Sequence, residues 1–315
     1  MPPFPKPRFD YPYDVAAELA ALRAHRQLRD IPAKAPGKLL LATWNIANLG
    51  VQERRDSDYE LLAEVVGWFD LVAVQEVNNN LAGIRAIQSQ LPSSYRLLFS
   101  DAAGNNERQA FLYDSGKVQQ LEKVGRMSVA PAELRHIKLP GSTATFQGFD
   151  RGPYMAAFRS GRFSCLLLNV HLYFGDDSPA SMDRRSLETF AVARWADLRR
   201  QSPYAFTRDI IPLGDFNLPV MDPADPIYRT LTSRGLQLPA HESQVGGSSL
   251  GGLNHYDQIA FFPGETAEYS KRVDVFDYDN ALWRTLFETR SLKQFLAYCR
   301  YYASDHRPLW AQFDI

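Results

Sequence analysis

The sequence of 315 residues contains only two cysteines, Cys165 and Cys299. Two thiols are too few for a cysteine-based zinc framework, and they allow at most one disulfide bond. Cys165 lies in the apolar run 163–168, which is typical of a buried strand. Because a buried free thiol is the common state of such a residue, we expect no structural disulfide.

The sequence also lacks long apolar runs and an excess of charge of either sign. No stretch reaches the about 18 apolar residues of a transmembrane helix, and the N-terminus has no apolar segment of a signal peptide. The 35 Lys and Arg residues against 36 Asp and Glu give a net charge of −1, which argues against a polybasic nucleic-acid binder. We expect a globular, cytoplasmic protein without a membrane span, and the sequence indicates no protein partner.

The hydrophobic pattern predicts a short N-terminal extension followed by one domain. The first residues are proline-rich, and Asp14 is a candidate N-cap for a single helix. That helix carries one apolar stripe, which would pack either on the main domain or on a second copy of the chain: Val15, Leu19 and Leu22. From Lys38 onward, strand-like and helix-like segments mix without a linker-like break. We therefore predict an extension over residues 1–37 and one domain, two packed sheets with outer helices, over residues 38–315.

Six short segments place acids, amides or imidazoles at the ends of apolar runs. They are residues 43–46, 74–77, 169–172, 214–217, 256–259 and 304–308. Any one of them would be weak evidence, because Asp and Asn are common turn formers after strands. In α/β proteins, however, sites are commonly built at the carboxyl ends of strands. Taken together, the six segments predict a functional site.

The most specific of these segments are Gly214-Asp215-Phe216-Asn217 and Ser304-Asp305-His306. With the other four, they resemble the endonuclease/exonuclease/phosphatase superfamily, whose best-known member is deoxyribonuclease I. The resemblance covers nearly the whole chain after Lys38. It implies a four-layer α/β sandwich, two packed β-sheets flanked by helices, with the site at one edge. It also implies cleavage of phosphodiesters or phosphomonoesters with a divalent metal, usually Mg²⁺, with Mn²⁺ or Ca²⁺ as alternatives.

The residue types suit this chemistry. Cleavage of a phosphate ester needs an activated water, a neutralised phosphate and a protonated leaving group. Hard cations such as Mg²⁺ prefer oxygen ligands and keep several waters. The resemblance makes Glu76 the first candidate metal ligand, with Asn45 and Asp305 close by. It gives Asp215 a role in holding the nucleophile or the metal, and Asn217 a role in orienting the phosphate.

Two histidines are candidates for moving protons. The imidazole of His306 titrates near neutrality and can act as a general base, and the resemblance assigns Asp257 to orient it. His171 matches a second histidine of the deoxyribonuclease I-like members, where it is expected to act as general acid on the leaving-group side. The glutamate paired with this histidine would be Glu107.

Several arginines are candidates for contacts with the substrate phosphate. Arg151 matches a phosphate-contacting arginine of the same subgroup, and Arg108 is the alternative. Arg184 and Glu188 have the i,i+4 spacing of a surface ion pair. Arg185, next to them, either belongs to that surface or faces the site and meets the phosphate.

The chain departs from the family pattern at Ala47, where arginine or aspartate often stands, and at Asn78, where deoxyribonuclease I has an arginine. These changes remove contacts that could grip a DNA minor groove or a second metal, so they argue against a preference for double-stranded DNA. The prediction is a metal-dependent phosphodiesterase, with nucleic acid as the expected substrate. The alternative is a phosphatase or phosphodiesterase acting on small-molecule or lipid phosphates. The alternative from another functional class is a non-catalytic binding protein on the same scaffold. Such a protein would be expected to lose some of the site residues, so their presence argues against it.

The segment 246–252 is rich in glycine and serine. It contains the Gly-x-Ser-x-Gly spacing of serine hydrolases, but that motif requires a strand before it and a helix after it. Here polar residues precede the segment and a strand-like run follows it. We therefore expect a mobile loop over the site.

Overall fold

Two β-sheets form the centre of the computed structural model, which describes residues 3–240 and 245–315. The strands are β1 (Lys38–Leu49), β2 (Leu71–Asn78), β3 (Tyr95–Phe99), β4 (Glu107–Asp114), β5 (Gln119–Arg126), β6 (Tyr154–Ser160), β7 (Phe163–His171), β8 (Ile210–Asp215), β9 (Asp257–Ile259), β10 (Tyr269–Val275) and β11 (Leu309–Asp314). The helices are α1 (Val15–Leu28), α2 (Asp56–Gly67), α3 (Ala82–Gln90), α4 (Pro131–Leu134), α5 (Pro179–Arg200), α6 (Pro226–Thr232), α7 (Arg284–Thr289) and α8 (Leu292–Tyr302), with a 3₁₀ turn at Tyr278–Asn280.

The strand order brings two parallel pairs to the middle of the molecule. One sheet has six strands in the order β10-β11-β1-β2-β4-β3, and the other has five in the order β5-β6-β7-β8-β9. The pairs β1–β2 and β7–β8 are parallel, and the other described strand pairs are antiparallel. The two strands of a parallel pair end at the same edge of the sheet. The polar residues that follow their apolar runs therefore lie close together.

Apolar side chains fill three interfaces between four layers. The inner faces of the two sheets pack against each other, for example through Leu41, Phe111 and Leu167. The outer face of the six-stranded sheet is covered by α1, α2, α3, α7 and α8, and that of the five-stranded sheet by α5 and α6. This arrangement confirms the predicted four-layer α/β sandwich. Within the described ranges, no helix combines the length and the apolar character needed to cross a membrane.

The N-terminal helix packs on the rest of the chain. Asp14 caps it as expected, because its carboxylate accepts hydrogen bonds from the backbone N–H groups of residues 16 and 17. Leu22 is fully buried in the core on the helical side of the six-stranded sheet. His25 and Arg29 both contact the buried carboxylate of Asp277, at 2.8 and 2.7 Å. The apolar stripe of α1 therefore packs on the main domain, which is one of the two partners expected for it.

Both cysteines are free and buried, as the sequence predicts. Cys165 lies on β7 in the core between the sheets, and Cys299 lies on α8. Burial raises the pKa of both thiols. Neither side chain is therefore a reactive thiolate at neutral pH.

Asp209, which directly precedes β8, carries a testable pH dependence. Burial and the nearby Glu268 raise the pKa of Asp209 to about 6, above the value of about 3.9 expected in the unfolded chain. The folded state therefore binds this proton more tightly, and the contribution of Asp209 to stability falls as the pH rises from about 4 to 6. We expect Asp209→Asn to be more stable than the wild type at pH 7, with a smaller difference at pH 4. Urea unfolding of both proteins between pH 4 and 8 measures this, and parallel stability curves would contradict it.

Candidate active site

Four predicted site residues stand at the carboxyl ends of the two parallel strand pairs. Asn45 on β1 is in register with Gln75, which directly precedes Glu76 on β2, and His171 on β7 is in register with Asp215 on β8. Nδ2 of Asn45 donates to Oε1 of Glu76 and to Oδ2 of Asp215, both at 3.1 Å. One buried amide therefore joins the carboxylates of the two sheets.

His306 is paired with a buried carboxylate. Its Nδ1 lies 2.7 Å from Oδ2 of Asp257, and its Nε2 lies 3.8 Å from Oδ2 of Asp215. Burial would lower the pKa of the imidazole, but the charges of Asp257, Asp215 and Asp305 outweigh it and hold the pKa of His306 well above its usual range. The geometry is that of an imidazole oriented by one carboxylate and turned toward another.

His171 has the same kind of environment. Its Nδ1 lies 3.2 Å from Oε2 of Glu107, and its Nε2 lies 3.7 Å from Oδ2 of Asp215. Burial alone would raise the pKa of Glu107, but the hydrogen bond from His171 and the charges of His171 and Arg151 lower it to about 2. Glu107 is therefore ionised at neutral pH and lies beside Nδ1 of His171, while Nε2 of His171 faces the site.

The two histidines face each other across Asp215. Each carries a carboxylate at Nδ1, and each presents Nε2 to the same oxygen, Oδ2 of Asp215. The imidazoles come from different sheets, since His171 ends β7 and His306 precedes β11. Such an arrangement can take a proton at one position and deliver one at another.

The donors around Glu76 fit a hard cation. Oδ1 of Asn45 is buried and has no hydrogen-bond partner among residues 3–240 and 245–315. Burial, together with the charges of Glu76 and Asp215, raises the pKa of Asp305, as expected where carboxylates crowd. In the described part of the chain, no three or more His, Cys, Asp or Glu side chains form a metal cluster. Mg²⁺, however, is usually bound by one or two carboxylates and several waters, so the set of Glu76, Asn45 and Asp305 suits it.

Three residues at the site have backbone angles that side chains rarely adopt. The φ angles of Asn48, Glu76 and Asn217 are 49°, 58° and 53°. Local hydrogen bonds support them: the N–H of Asn48 donates to Oε2 of Glu76 at 2.8 Å, and the N–H of Asn217 donates to Oδ1 of Asp215 at 2.9 Å. Strained backbone of this kind is often found where function fixes a side chain.

Gly214 is required where β7 and β8 approach each other. Its φ is 130°, and a Cβ added there would lie 2.2 Å from the carbonyl oxygen of Val170. We expect Gly214→Ala to lower the free energy of unfolding by about 1–3 kcal/mol or more. We also expect lower activity, because the added Cβ displaces the neighbouring Asp215. Urea unfolding measures the first effect. Gly264→Ala is the matched control, because no atom lies within 4 Å of its added Cβ; equal losses in both variants would contradict the prediction.

The two predicted phosphate-binding side chains converge on one backbone carbonyl. Arg151, which is 6% exposed, donates from Nε to the carbonyl oxygen of His171 at 3.0 Å and from Nη2 to that of Leu172 at 3.2 Å. Its Nη1 lies 3.8 Å from Glu107. Nδ2 of Asn217 donates to the same Leu172 oxygen at 2.8 Å. These side chains brace the turn after His171, and a phosphate contact by either one stays a prediction.

The i,i+4 ion pair between Arg184 and Glu188 on α5 is present, but it is not a surface pair, because Glu188 is fully buried. Its carboxylate accepts a hydrogen bond from the N–H of Tyr173 at 3.1 Å, while Arg184 lies 3.6 Å away. Arg185 is 1% exposed, and its Nη2 donates to the carbonyl oxygen of Phe174 at 2.6 Å. Arg185 therefore supports the loop after β7 from inside the protein and does not belong to the surface.

The glycine- and serine-rich segment 246–252 also differs from what the sequence predicts. Ser248 accepts hydrogen bonds from the N–H of Asp257 at 3.0 Å on Oγ and from the N–H of Arg307 at 2.7 Å on its carbonyl. Leu250 is buried, and its N–H donates to the carbonyl of Asp305 at 2.7 Å. The mobile loop expected here is wrong for these residues, which pair with the segment that carries the catalytic candidates.

Sequence reasoning missed three polar residues that support the site. Nε2 of Gln75 donates to Oδ1 of Asn169 at 2.7 Å, which links the two sheets. Oγ of Ser304 donates to the carbonyl oxygen of Asn45 at 2.6 Å and accepts from the N–H of His306 at 3.0 Å. Each lies in one of the six segments next to a predicted site residue. Their position was therefore visible, but their partners depend on how the two sheets pack.

Comparison with known proteins adds one relative in sequence. No family model matches the chain. A protein named deoxyribonuclease from Thioalkalivibrio sp. (strain K90mix) is 30% identical over 198 residues, which cover 60% of this chain and 49% of the relative. The chain thus spans about half the length of that relative.

Solved structures with the same fold cover most of the chain. A mannosyl-6-phosphatase from Bacteroides thetaiotaomicron matches with a TM-score of 0.54 and 17% identity over 88% of this chain and all of that one (100%). TDP2 from D. rerio, complexed with a single-strand DNA product, matches with a TM-score of 0.57 and 15% identity over 88% of this chain and 99% of that one. The 3′ phosphatase NExo from Neisseria, bound to a product DNA hairpin, matches with a TM-score of 0.53 and 17% identity over 88% of this chain and 100% of that one. The fold that the resemblance implies is confirmed: the chain has the deoxyribonuclease I-like fold of the endonuclease/exonuclease/phosphatase proteins.

Proposed function

We propose that this chain is a divalent-metal-dependent phosphodiesterase that hydrolyses phosphodiester bonds of nucleic acid. The observation that carries the proposal is the pair of imidazoles, His171 and His306, each bound to its own carboxylate and both turned toward Asp215. The sequence relative named deoxyribonuclease and the DNA-bound structures of the same fold support nucleic acid as the substrate.

Each histidine has one task in the proposed reaction. The carboxylate charges that raise the pKa of His306 would be offset by a cation held by Glu76, Asn45 and Asp305, so that the neutral ring accepts the proton of the attacking water at Nε2. Asp257 holds Nδ1 and stabilises the imidazolium that forms. His171 donates a proton from Nε2 to the departing oxygen, and Glu107 keeps its ring in the required orientation. Asp215 lies between the two and holds the nucleophile in line.

The metal and the phosphate have separate binding groups. Glu76, Asn45 and Asp305 would hold a divalent cation, Mg²⁺ or alternatively Mn²⁺ or Ca²⁺. When bound, the cation supplies charge neutralisation for the phosphate oxygens. Asn217 orients the phosphate, and Arg151 holds the loop around His171 while extending positive charge toward it.

A small phosphate ester is the second candidate substrate. The structural similarity to a mannosyl-6-phosphatase favours it. So does the hydrogen bonding of Arg151 and Arg185 to backbone carbonyls, which limits the cations available to a long polyanion. In that case the same histidines and the same metal ligands act on a phosphomonoester.

A substrate panel with Mg²⁺ and Mn²⁺ tests the proposal. The substrates are plasmid DNA, single-stranded DNA, RNA, bis-p-nitrophenyl phosphate, inositol phosphates and mannose 6-phosphate. We expect cleavage of nucleic acid and of the model diester, with slower release of phosphate from the monoesters. Turnover of monoesters alone would replace the phosphodiesterase with the second candidate, and no turnover on any substrate would contradict both.

A further inference from the structure

Two aromatic rings form a notch beside His306. Phe174 lies three residues after His171, and Tyr256 directly precedes Asp257. Their ring centroids are 6.2 Å apart and the planes meet at 78°, while the ring of Tyr256 lies 5.7 Å from that of His306. Both side chains are partly exposed. Two apolar surfaces at nearly a right angle can receive a flat ring against one face and one edge.

Both rings are held in place from behind. The guanidinium of Arg185 lies 4.5 Å from the ring centroid of Phe174 and also bonds the backbone carbonyl of that residue. The carbonyl of Tyr256 accepts from the N–H of Phe216 at 2.9 Å, and its hydroxyl accepts from Nδ2 of Asn254 at 2.6 Å. The notch is therefore preorganised, which lowers the entropic cost of binding a ligand there.

The charges around the notch disfavour recognition of additional phosphates. Asp176 and Asp177 are exposed in the loop that follows Phe174. Arg185, the cation beneath the ring, is buried and donates to carbonyl oxygens of the loop. A polyanionic chain entering here meets the negative charge of Asp176 and Asp177, which favours uncharged contacts as the source of affinity at the notch.

We propose that Phe174 and Tyr256 form a stacking subsite for one nucleobase flanking the scissile phosphate, which makes single-stranded nucleic acid the substrate class. The inference rests on the proposed phosphodiesterase function. Stacking on protein aromatic rings tolerates every base, because each has a π face. A base in a duplex has both faces covered by its neighbours and would first have to leave the stack.

Equilibrium binding to the full chain in metal-free buffer tests the subsite without turnover, because the proposed hydrolysis needs a cation. Calorimetry compares thymidine 5′-phosphate and thymidine 3′-phosphate with 2-deoxyribose 5-phosphate, which lacks the base. We expect at least one of the nucleotides to bind about 5- to 150-fold more tightly than the base-free phosphate. Phe174→Leu and Tyr256→Leu bring this ratio toward one, and Phe174→Trp, which enlarges the stacking face, raises it.

Tyr173→Leu is the matched control, because that neighbouring ring lies 3.9 Å from the guanidinium of Arg184 and outside the notch. It should keep the wild-type ratio, and thermal unfolding of each variant checks the fold. A wild-type ratio near one, or an unchanged ratio in both leucine variants, overturns the subsite. Hydrolysis of bis-p-nitrophenyl phosphate is measured separately. Base selectivity without hydrolysis would reject the proposed function alone, and hydrolysis without base selectivity would reject the subsite alone.

Discussion

His306→Ala is expected to lower hydrolysis of every phosphodiester by about 10²–10⁴-fold, because it removes the group that accepts the proton of water. His171→Ala is expected to depend on the leaving group. It should cost a comparable factor on esters of sugar alkoxides, which need a proton to depart, and much less on p-nitrophenyl esters, which do not. Steady-state kinetics of both variants on a dinucleotide and on bis-p-nitrophenyl phosphate measure the difference.

His136→Ala is a control for this experiment, since His136 is exposed on the segment after α4. It should leave both rates close to the wild-type values. Equal and modest losses on both substrates in the His171 and His306 variants, with matching losses of stability, would mean that the two rings are structural. The two-histidine mechanism would then be abandoned.

Glu76→Gln is expected to reduce activity by about 100-fold or more while the fold is retained. The substitution preserves the shape of the side chain and an oxygen that can accept the hydrogen bond from the N–H of Asn48. It removes the negative charge with which we expect the site to bind a cation. Because Asp215 and Asp305 lie near Glu76, loss of that charge also reduces repulsion, so the unfolding midpoint should be equal or higher.

Calorimetric titration with Mn²⁺ gives a second measurement of the same change, and binding should weaken in parallel with activity. Glu122→Gln, an exposed glutamate on β5, is the matched control and should bind Mn²⁺ as the wild type does. Wild-type turnover of Glu76→Gln at ordinary metal concentration would remove Glu76 from the set of ligands.

The fold could be predicted because the motifs resemble a known family, and the proximity of the candidate site residues could be predicted from local patterns. Apolar runs that end in polar residues mark the strands, and the carboxyl ends of parallel strands meet at one edge. Thus Glu76 and Asp215, which are far apart in sequence, are joined by the amide of Asn45. The specific motif at Ser304-Asp305-His306 likewise indicated where the second histidine would stand.

What could not be predicted depends on contacts between distant segments. The i,i+4 spacing of Arg184 and Glu188 indicates an ion pair, but burial of Glu188 results from the loop that packs over α5. Glycine and serine content indicates mobility, yet Ser248 and Leu250 are fixed by backbone hydrogen bonds to the segment that carries His306. Amino-acid composition alone does not show these hydrogen-bond partners, because they come from a distant part of the chain.

The most direct test is the metal dependence of hydrolysis. The protein is treated with EDTA, transferred to metal-free buffer and assayed on bis-p-nitrophenyl phosphate and single-stranded DNA before and after addition of Mg²⁺ or Mn²⁺. We expect no hydrolysis before addition, recovery on addition of metal, and no recovery in His306→Ala under the same conditions. Hydrolysis that persists in EDTA, or folded protein that cleaves no phosphate ester with either metal, would contradict a metal-dependent phosphodiesterase.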